Sequence, residues 1–273
     1  MPLYEIQYTL EPEKFFAETA APAIQSRDLR GVAPITSFQV EGPRVVIRCC
    51  ASDKQIALQR TIDFVEGLTR LLSLKTGRYV SARFKGLDSK SGGPRDSILN
   101  GLEIRWWEEG YQAHERLPGD VRSACREISH LDNPRLERAL SYYQRGVFYR
   151  RELFRLVELD LGPSQDQFYL AEATLNFYKA TAIVLGDPIH EPTKRALRLN
   201  RTQRKRIEDL YNLRDRFDIA HPVLNSAALE TVKGQVVFAQ TIAKEVVAMV
   251  LEAAERGVDV QWPPVSTGTR QRP

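Results

Sequence analysis

An α+β protein is expected, with a mixed α/β domain over residues 1–125, an all-α four-helix bundle over 126–257 and a disordered tail over 258–273. Three observations carry that expectation. Before residue 115, short β-prone runs alternate with turn residues around one helical stretch. From Asn133 onwards, apolar residues recur every three or four positions through four successive segments, the period of one buried helix face. From Val258 the chain turns to Pro, Thr and Arg, the composition of a frayed end.

In the first domain, Leu3–Leu10 reads as a strand, and Phe38–Val40 and Val45–Cys49 flank the turn residues Glu41-Gly42-Pro43 as a hairpin. Asp53 caps a helix expected to run to about Lys75 and to stop at Gly77, with Ile56, Ile62, Phe64, Leu68, Leu71 and Leu72 as its apolar surface. Tyr79–Phe84 alternates as a strand, Leu87–Pro94 reads as a flexible loop, and Ile104–Trp107 as a further strand. No phosphate loop, dinucleotide fingerprint or metal motif occurs in this half.

The second domain opens at Asn133-Pro134, a cap followed by proline at the first helical position. Its first helix is expected to reach Val157 with a break near Gly146. Ser164 and Gln167 form a capping box before Phe168, Ala171, Leu175, Tyr178, Ala182 and Leu185, ended by Gly186 and Pro188. A third helix starts between Pro192 and Thr202. The last, about Ser226 to Arg256, carries Leu229, Val232, Val236, Ala239, Ala243, Val246, Val250 and Ala253 before Gly257.

A hydrophobic fraction of 42% with 27% charged residues suits a globular core, and no run of eighteen apolar residues predicts a membrane span. No basic segment followed by an apolar core opens the chain, and the cysteines number three without regular spacing. A reducing cytoplasm is therefore expected, with no disulfide framework. Cys49 and Cys50 would face opposite sides of a strand, and Cys125 with His130 has no second ligand pair, so neither metal nor cofactor is expected. His114 and His130 read as surface and loop, and His190 as an exposed loop residue, the alternative being a turn that lines a cleft.

The net charge of +4 says little by itself, whereas its distribution says more. Lys194, Arg195, Arg198, Arg201, Arg204, Lys205 and Arg206 fall in one stretch without an acid, either a solvated face or a phosphate-tracking surface. Arg135, Arg138, Arg145, Arg150, Arg151 and Arg155 add a second basic set, diluted by Glu137, Glu152 and Glu158. Tyr142, Tyr143 and Tyr149 interleave with it, as base-stacking residues or as half-buried packing. Lys179 is either a solvated lysine or a further candidate for a phosphate contact.

The stretch Ile207–His221 places Ile207, Leu210, Tyr211, Arg214, Phe217, Asp218 and His221 on one helical face. Arg214 and His221 return to nearly the same azimuth after about 700° of rotation, roughly 10.5 Å apart along the axis. Pro222 disfavours helical geometry at His221, and the carbonyl end of a helix favours the protonated imidazole. A guanidinium and an imidazole so placed can share one phosphate; the alternative is an Arg214–Asp218 pair capped by a histidine. In a regular helix Arg216 lies about 140° from His221, so Arg214 is the favoured arginine.

The string L-R-D-R-F-D-I-A-H-P resembles the Arg-x(4–6)-His signature of the HEPN superfamily, with Arg214, the polar Asp215 and His221 and six residues between arginine and histidine. It is similar to the L-R-N-x-x-G-x-x-H string of the abortive-infection branch, and Leu175–Ala180 resembles the preceding helix. The likeness covers about 130–257. It implies a HEPN-like bundle and a metal-independent ribonuclease of phage-defence or toxin type. His221 would act as base or acid, Arg214 would hold the non-bridging oxygens, and Asp215 or Asp218 would orient the site. Arg198, Arg201, Arg204, Lys205, Arg216 and Lys179 would bind RNA. The family pairs two protomers so that two signatures face one cleft, which implies a homodimer, with an antitoxin or other regulatory partner. Val223 stands where some relatives carry a tyrosine that a nucleotidyltransferase modifies. A non-catalytic RNA- or nucleotide-binding module and a helical interaction scaffold are the alternatives.

Overall fold

The computed structural model describes residues 2–11, 24–25, 35–41, 43–89, 113–128, 131, 133–159, 163–216 and 226–264, with the backbone alone at 24–25, 41, 88–89, 113–118, 153–159, 163–167, 214–216 and 226–233. The chain is α+β, and it divides into two compact units, Met1–Asp132 and Asn133–Pro273.

The first unit is built on an antiparallel sheet of β1 (Leu3–Glu11), β2 (Ile24–Gln25), β3 (Ile35–Glu41), β4 (Arg44–Cys50) and β5 (Ser81–Ser89), in the order β2-β3-β4-β1-β5. Glu41 opposes Arg44 in register, so the expected hairpin forms across Gly42-Pro43. Burial alternates along β1, with Tyr4, Ile6, Tyr8 and Leu10 inward, as a sheet covered on one face requires. The cover is α1 (Lys54–Thr76), whose N-cap Asp53 accepts from the Ile56 N–H at 2.9 Å and whose end is Gly77 at φ 70°. Its buried stripe is Ala57, Thr61, Phe64, Val65, Leu68, Leu71 and Leu72; the Tyr8 hydroxyl is hydrogen-bonded to Thr61 at 2.9 Å, and Phe38 meets Phe64 edge-on.

Three details differ from expectation. Ile56 and Ile62, counted with the core, are each 39% exposed, because the 3.6-residue period runs through the small Ala57 and Thr61 instead. The last strand starts at Ser81 and runs through Leu87, which was expected in a loop; Leu87 pairs with Ile6 and is buried, after an irregularity at Gln7/Tyr8 that resets the register. A further helix, α2 (Ala113–Glu127), lies where no element is expected and packs on α1, so the first unit extends beyond 125. Lys75 and the buried Glu127 form an ion pair between α1 and α2, and Ser123 also donates to Glu127 at 2.8 Å. The strand expected at Ile104–Trp107 lies outside the described residues.

The second unit is helical: α3 (Pro134–Leu159), α4 (Pro163–Leu185), the short α5 (Glu191–Ala196), α6 (Arg201–Arg216) and α7 (Ser226–Glu255). Asn133 caps α3, its side-chain oxygen accepting from the Arg135 N–H at 2.9 Å. No break occurs at Gly146. A Cβ there would lie 2.6 Å from the Phe177 ring, so glycine lets α3 and α4 approach closely without interrupting the helix. Pro163 begins α4, which puts Ser164 inside the first turn rather than ahead of it. Helix α4 touches α3, α6 and α7. Its buried residues are Leu170, Ala171, Ala173, Thr174, Asn176, Phe177, Ala180, Thr181, Val184 and Leu185; of the expected stripe, Leu175, Tyr178 and Ala182 are only half-buried and Phe168 is 53% exposed. A helix covered on several sides buries more than one stripe, and its small residues hide the true inner face. On α7, Val236, Ala239, Ala243, Val246, Val250 and Ala253 are buried as expected, and Gly257 follows at φ 66°.

The tail differs from the disordered segment expected over 258–273. Val260 and Pro263 are buried, and the Thr193 hydroxyl donates to the Gln261 carbonyl, so residues 258–264 pack on the unit. The remainder of the tail lies outside the described residues. Among the described residues no helix is long and apolar enough to cross a membrane.

Candidate functional site

Helix α6 is opened by a reciprocal cap beyond those expected: the Asn200 N–H donates to Gln203 Oε1, and the Gln203 N–H donates to Asn200 Oδ1, both at 2.9 Å. Ile207, Leu210, Tyr211 and Leu213 are buried. The Tyr211 hydroxyl donates to the Gly186 carbonyl at 2.7 Å, and its ring stands edge-on to Tyr178 at 5.3 Å, which fixes α6 against α4. Position 214 follows Ile207 by seven residues and continues the helical register of Leu210 and Tyr211. The backbone of α6 includes Arg214, Asp215 and Arg216, whose side chains lie outside the description, as do residues Phe217, Asp218, His221, Pro222 and Val223 altogether. The choice between Arg214 and Arg216 is therefore a matter of sequence register alone.

The basic run is not one surface. Lys194 pairs with Glu191, whose carboxyl is held below the usual range by that hydrogen bond, with Lys194, Arg195 and Arg204 adding positive field. Arg206 pairs with Glu245 of α7 at 2.9 Å. Arg198 occupies a left-handed turn at φ 52° between α5 and α6. Arg201 and Lys205 are exposed, while Arg204 is half-buried and its Nε has no hydrogen-bond partner among the described residues. Acids from beyond the run (Glu191 and Glu245) thus neutralise part of a stretch that reads as purely basic, leaving Arg195, Arg198, Arg201 and Lys205 exposed.

On α3 the three tyrosines separate. Tyr143 is fully buried, tilted against Phe177 at 5.6 Å and accepting from Gln240 at 3.3 Å; Gln240 in turn accepts from Arg150. Tyr142 and Tyr149 are only half-buried. The Lys179 ammonium lies 5.8 Å over the Tyr142 ring. The signal that separates them is the 3.6-residue period, which aligns Arg138, Tyr142, Arg145 and Tyr149 and leaves Tyr143 on the inner side.

Other groups are quieter. Asp209, Asn212, Leu213, Gln235 and Phe238 line an open hollow of about 270 Å³ between α6 and α7, and Glu5, Gln39, Arg44, Val46 and Arg48 line one of about 90 Å³ on the open face of the sheet. His190 is the N-cap of α5, its Nδ1 at 3.0 Å from the Thr193 hydroxyl, so it is part of a turn rather than a bare loop residue. Among the described residues no group of His, Cys, Asp and Glu is arranged to hold a metal.

No family model, no curated protein and no solved structure matches the chain.

Proposed function

We propose that the chain is a metal-independent endoribonuclease effector of the phage-defence or toxin type, in which Arg214 and His221 act on RNA at a cleft shared by two copies. The observation that supports this reading is the helical unit itself: four long helices, with the Arg-x6-His string starting in the last turn of α6 on the register of its buried stripe. His221 removes the proton from a ribose 2′-hydroxyl, the 2′-oxygen attacks the adjacent phosphorus, and the 5′-oxygen leaves with a proton from a second acid. The guanidinium of Arg214 stabilises the charge that grows on the non-bridging oxygens, and Asp215 or Asp218 orients the pair. One imidazole cannot serve as base and acid in the same step, which is why two facing signatures are proposed. A regulatory partner of antitoxin type belongs to the same reading, without modification at Val223. Cytoplasmic residence does too, supported by three free cysteines.

Purified chain incubated with total RNA and excess chelator is expected to give fragments ending in 2′,3′-cyclic phosphate and 5′-hydroxyl. His221→Ala should slow cleavage by about 10²–10⁴, and Arg214→Ala by about 10²–10³. Cleavage unchanged in both variants, or none in the wild type with any RNA, would refute the proposal.

A further inference from the structure

Helix α3 carries Arg138, Tyr142, Arg145 and Tyr149 at intervals of four, three and four. Successive rotations of about 100° bring all four within roughly 40° to either side of one line, over about 16 Å of axis. Arg138 and Arg145 are exposed, and neither makes an ion pair among the described residues. Tyr142 and Tyr149 are half-buried, so each ring keeps some solvent access. Across the groove, α4 contributes Phe168 (53% exposed) and Tyr169, whose rings lie 6.3 and 6.0 Å from that of Tyr149, and Lys179 beside Tyr142. A large exposed aromatic in contact with other half-open rings is wasteful in water, and unpaired cations along the same line invite an anion. A ligand with planar apolar groups joined by regularly spaced negative charges satisfies both.

We infer that the α3–α4 face binds a single-stranded polynucleotide, stacking bases on Tyr142, Tyr149 and Phe168 and receiving phosphates on Arg138, Arg145 and Lys179. A duplex hides its base faces and cannot use the rings. Glu172, which accepts from Asn176 at 3.3 Å, follows Tyr169 by three residues on α4 and weakens binding by its charge. The strip stands on residues other than Arg214 and His221, so it holds whether or not the chain cleaves what it binds.

The test is fluorescence anisotropy of full-length chain with a dye-labelled single strand of about 12 nucleotides, in RNA and DNA arms, across a salt series. DNA lacks the 2′-hydroxyl and stays intact in the assay. Three cations should give a slope of log K against log salt near −2, from about −0.7 per phosphate on a single strand. Replacing both Arg138 and Arg145 by alanine should bring the slope to about −0.7. Tyr149→Ala should weaken binding roughly tenfold with the slope unchanged, and Glu172→Gln should tighten it. His221→Ala should bind like wild type, which separates this inference from the nuclease proposal. The inference is overturned if the wild type binds neither strand at low salt, if the double arginine variant keeps wild-type slope and affinity, or if duplex competes as well as single strand. Preferential retention of RNA over DNA supports it and assigns part of the contact to the ribose.

Discussion

Arginines on the open face of the sheet and arginines on α3 keep different company. Arg48 is held by Glu5 at 2.8 Å, Arg83 by Glu11, and Arg44 stands opposite Glu41 in register. On α3, Arg138 and Arg145 have aromatic neighbours in the helical period and no ion pair among the described residues. Both sets look alike in composition. The difference teaches that a cation points to an external partner only where the fold has not already supplied one, and the basic run of 194–206 illustrates both outcomes through Lys194 and Arg206 on one side and Arg201 and Lys205 on the other.

The contrast can be broken or sharpened by substitution. The largest effect on stability should come from Lys75→Met, which leaves the buried Glu127 without its cation; chemical denaturation should record a loss of about 3–5 kcal/mol. Gly146→Ala forces the Phe177 ring aside and should cost about 1–3 kcal/mol, with a measurable fall in melting temperature. Arg48→Ala should change stability by no more than about 1 kcal/mol, because that pair is partly exposed, and should leave polynucleotide affinity untouched. A loss of affinity in Arg48→Ala equal to that of the α3 arginines would erase the distinction between the two surfaces.

Two smaller effects follow from ionisation and access. The Asp53 carboxyl is held below its ordinary range by the Ile56 N–H, so the stability it contributes is complete above the ordinary carboxylate pKa and is lost as pH falls through its depressed folded value. Asp53→Asn should flatten that part of an acid-unfolding curve. Burial raises the Cys49 thiol, and Cys125 is also buried, whereas Cys50 faces the open side of the sheet. Mass spectrometry after brief alkylation of the native chain should find label on Cys50 first.

Much of the architecture is legible in the residues because local chemistry and packing agree there. Alternation along β1, Asp53 and Gly77 at the ends of α1, Asn133 before α3 and the apolar period of α7 each mark their element. Legibility failed where tertiary contacts override local signals. Gly146 reads as a breaker until Phe177 is seen against it, and the inner face of α4 is hidden because it includes the small Ala173, Thr174 and Ala180, which lie off the expected stripe. Asn200 and Gln203, three apart ahead of an apolar period, carry a capping signal in the sequence itself, set within the basic run. For the proposed catalytic pair, the register of position 214 follows from α6, whereas His221 is beyond the described residues. The α3–α4 strip is half legible: the 3.6-residue period sets Tyr142 and Tyr149 apart from Tyr143, but which of the two sides faces inward follows only from burial.

The most direct measurement is a time course of one labelled RNA strand in excess chelator, with wild type and His221→Ala compared at equal bound fraction. The expected result is steady cleavage to cyclic-phosphate ends by the wild type and a rate lower by at least about a hundredfold for the variant. Equal rates for the two proteins, or cleavage that stops when metal is removed, would contradict it.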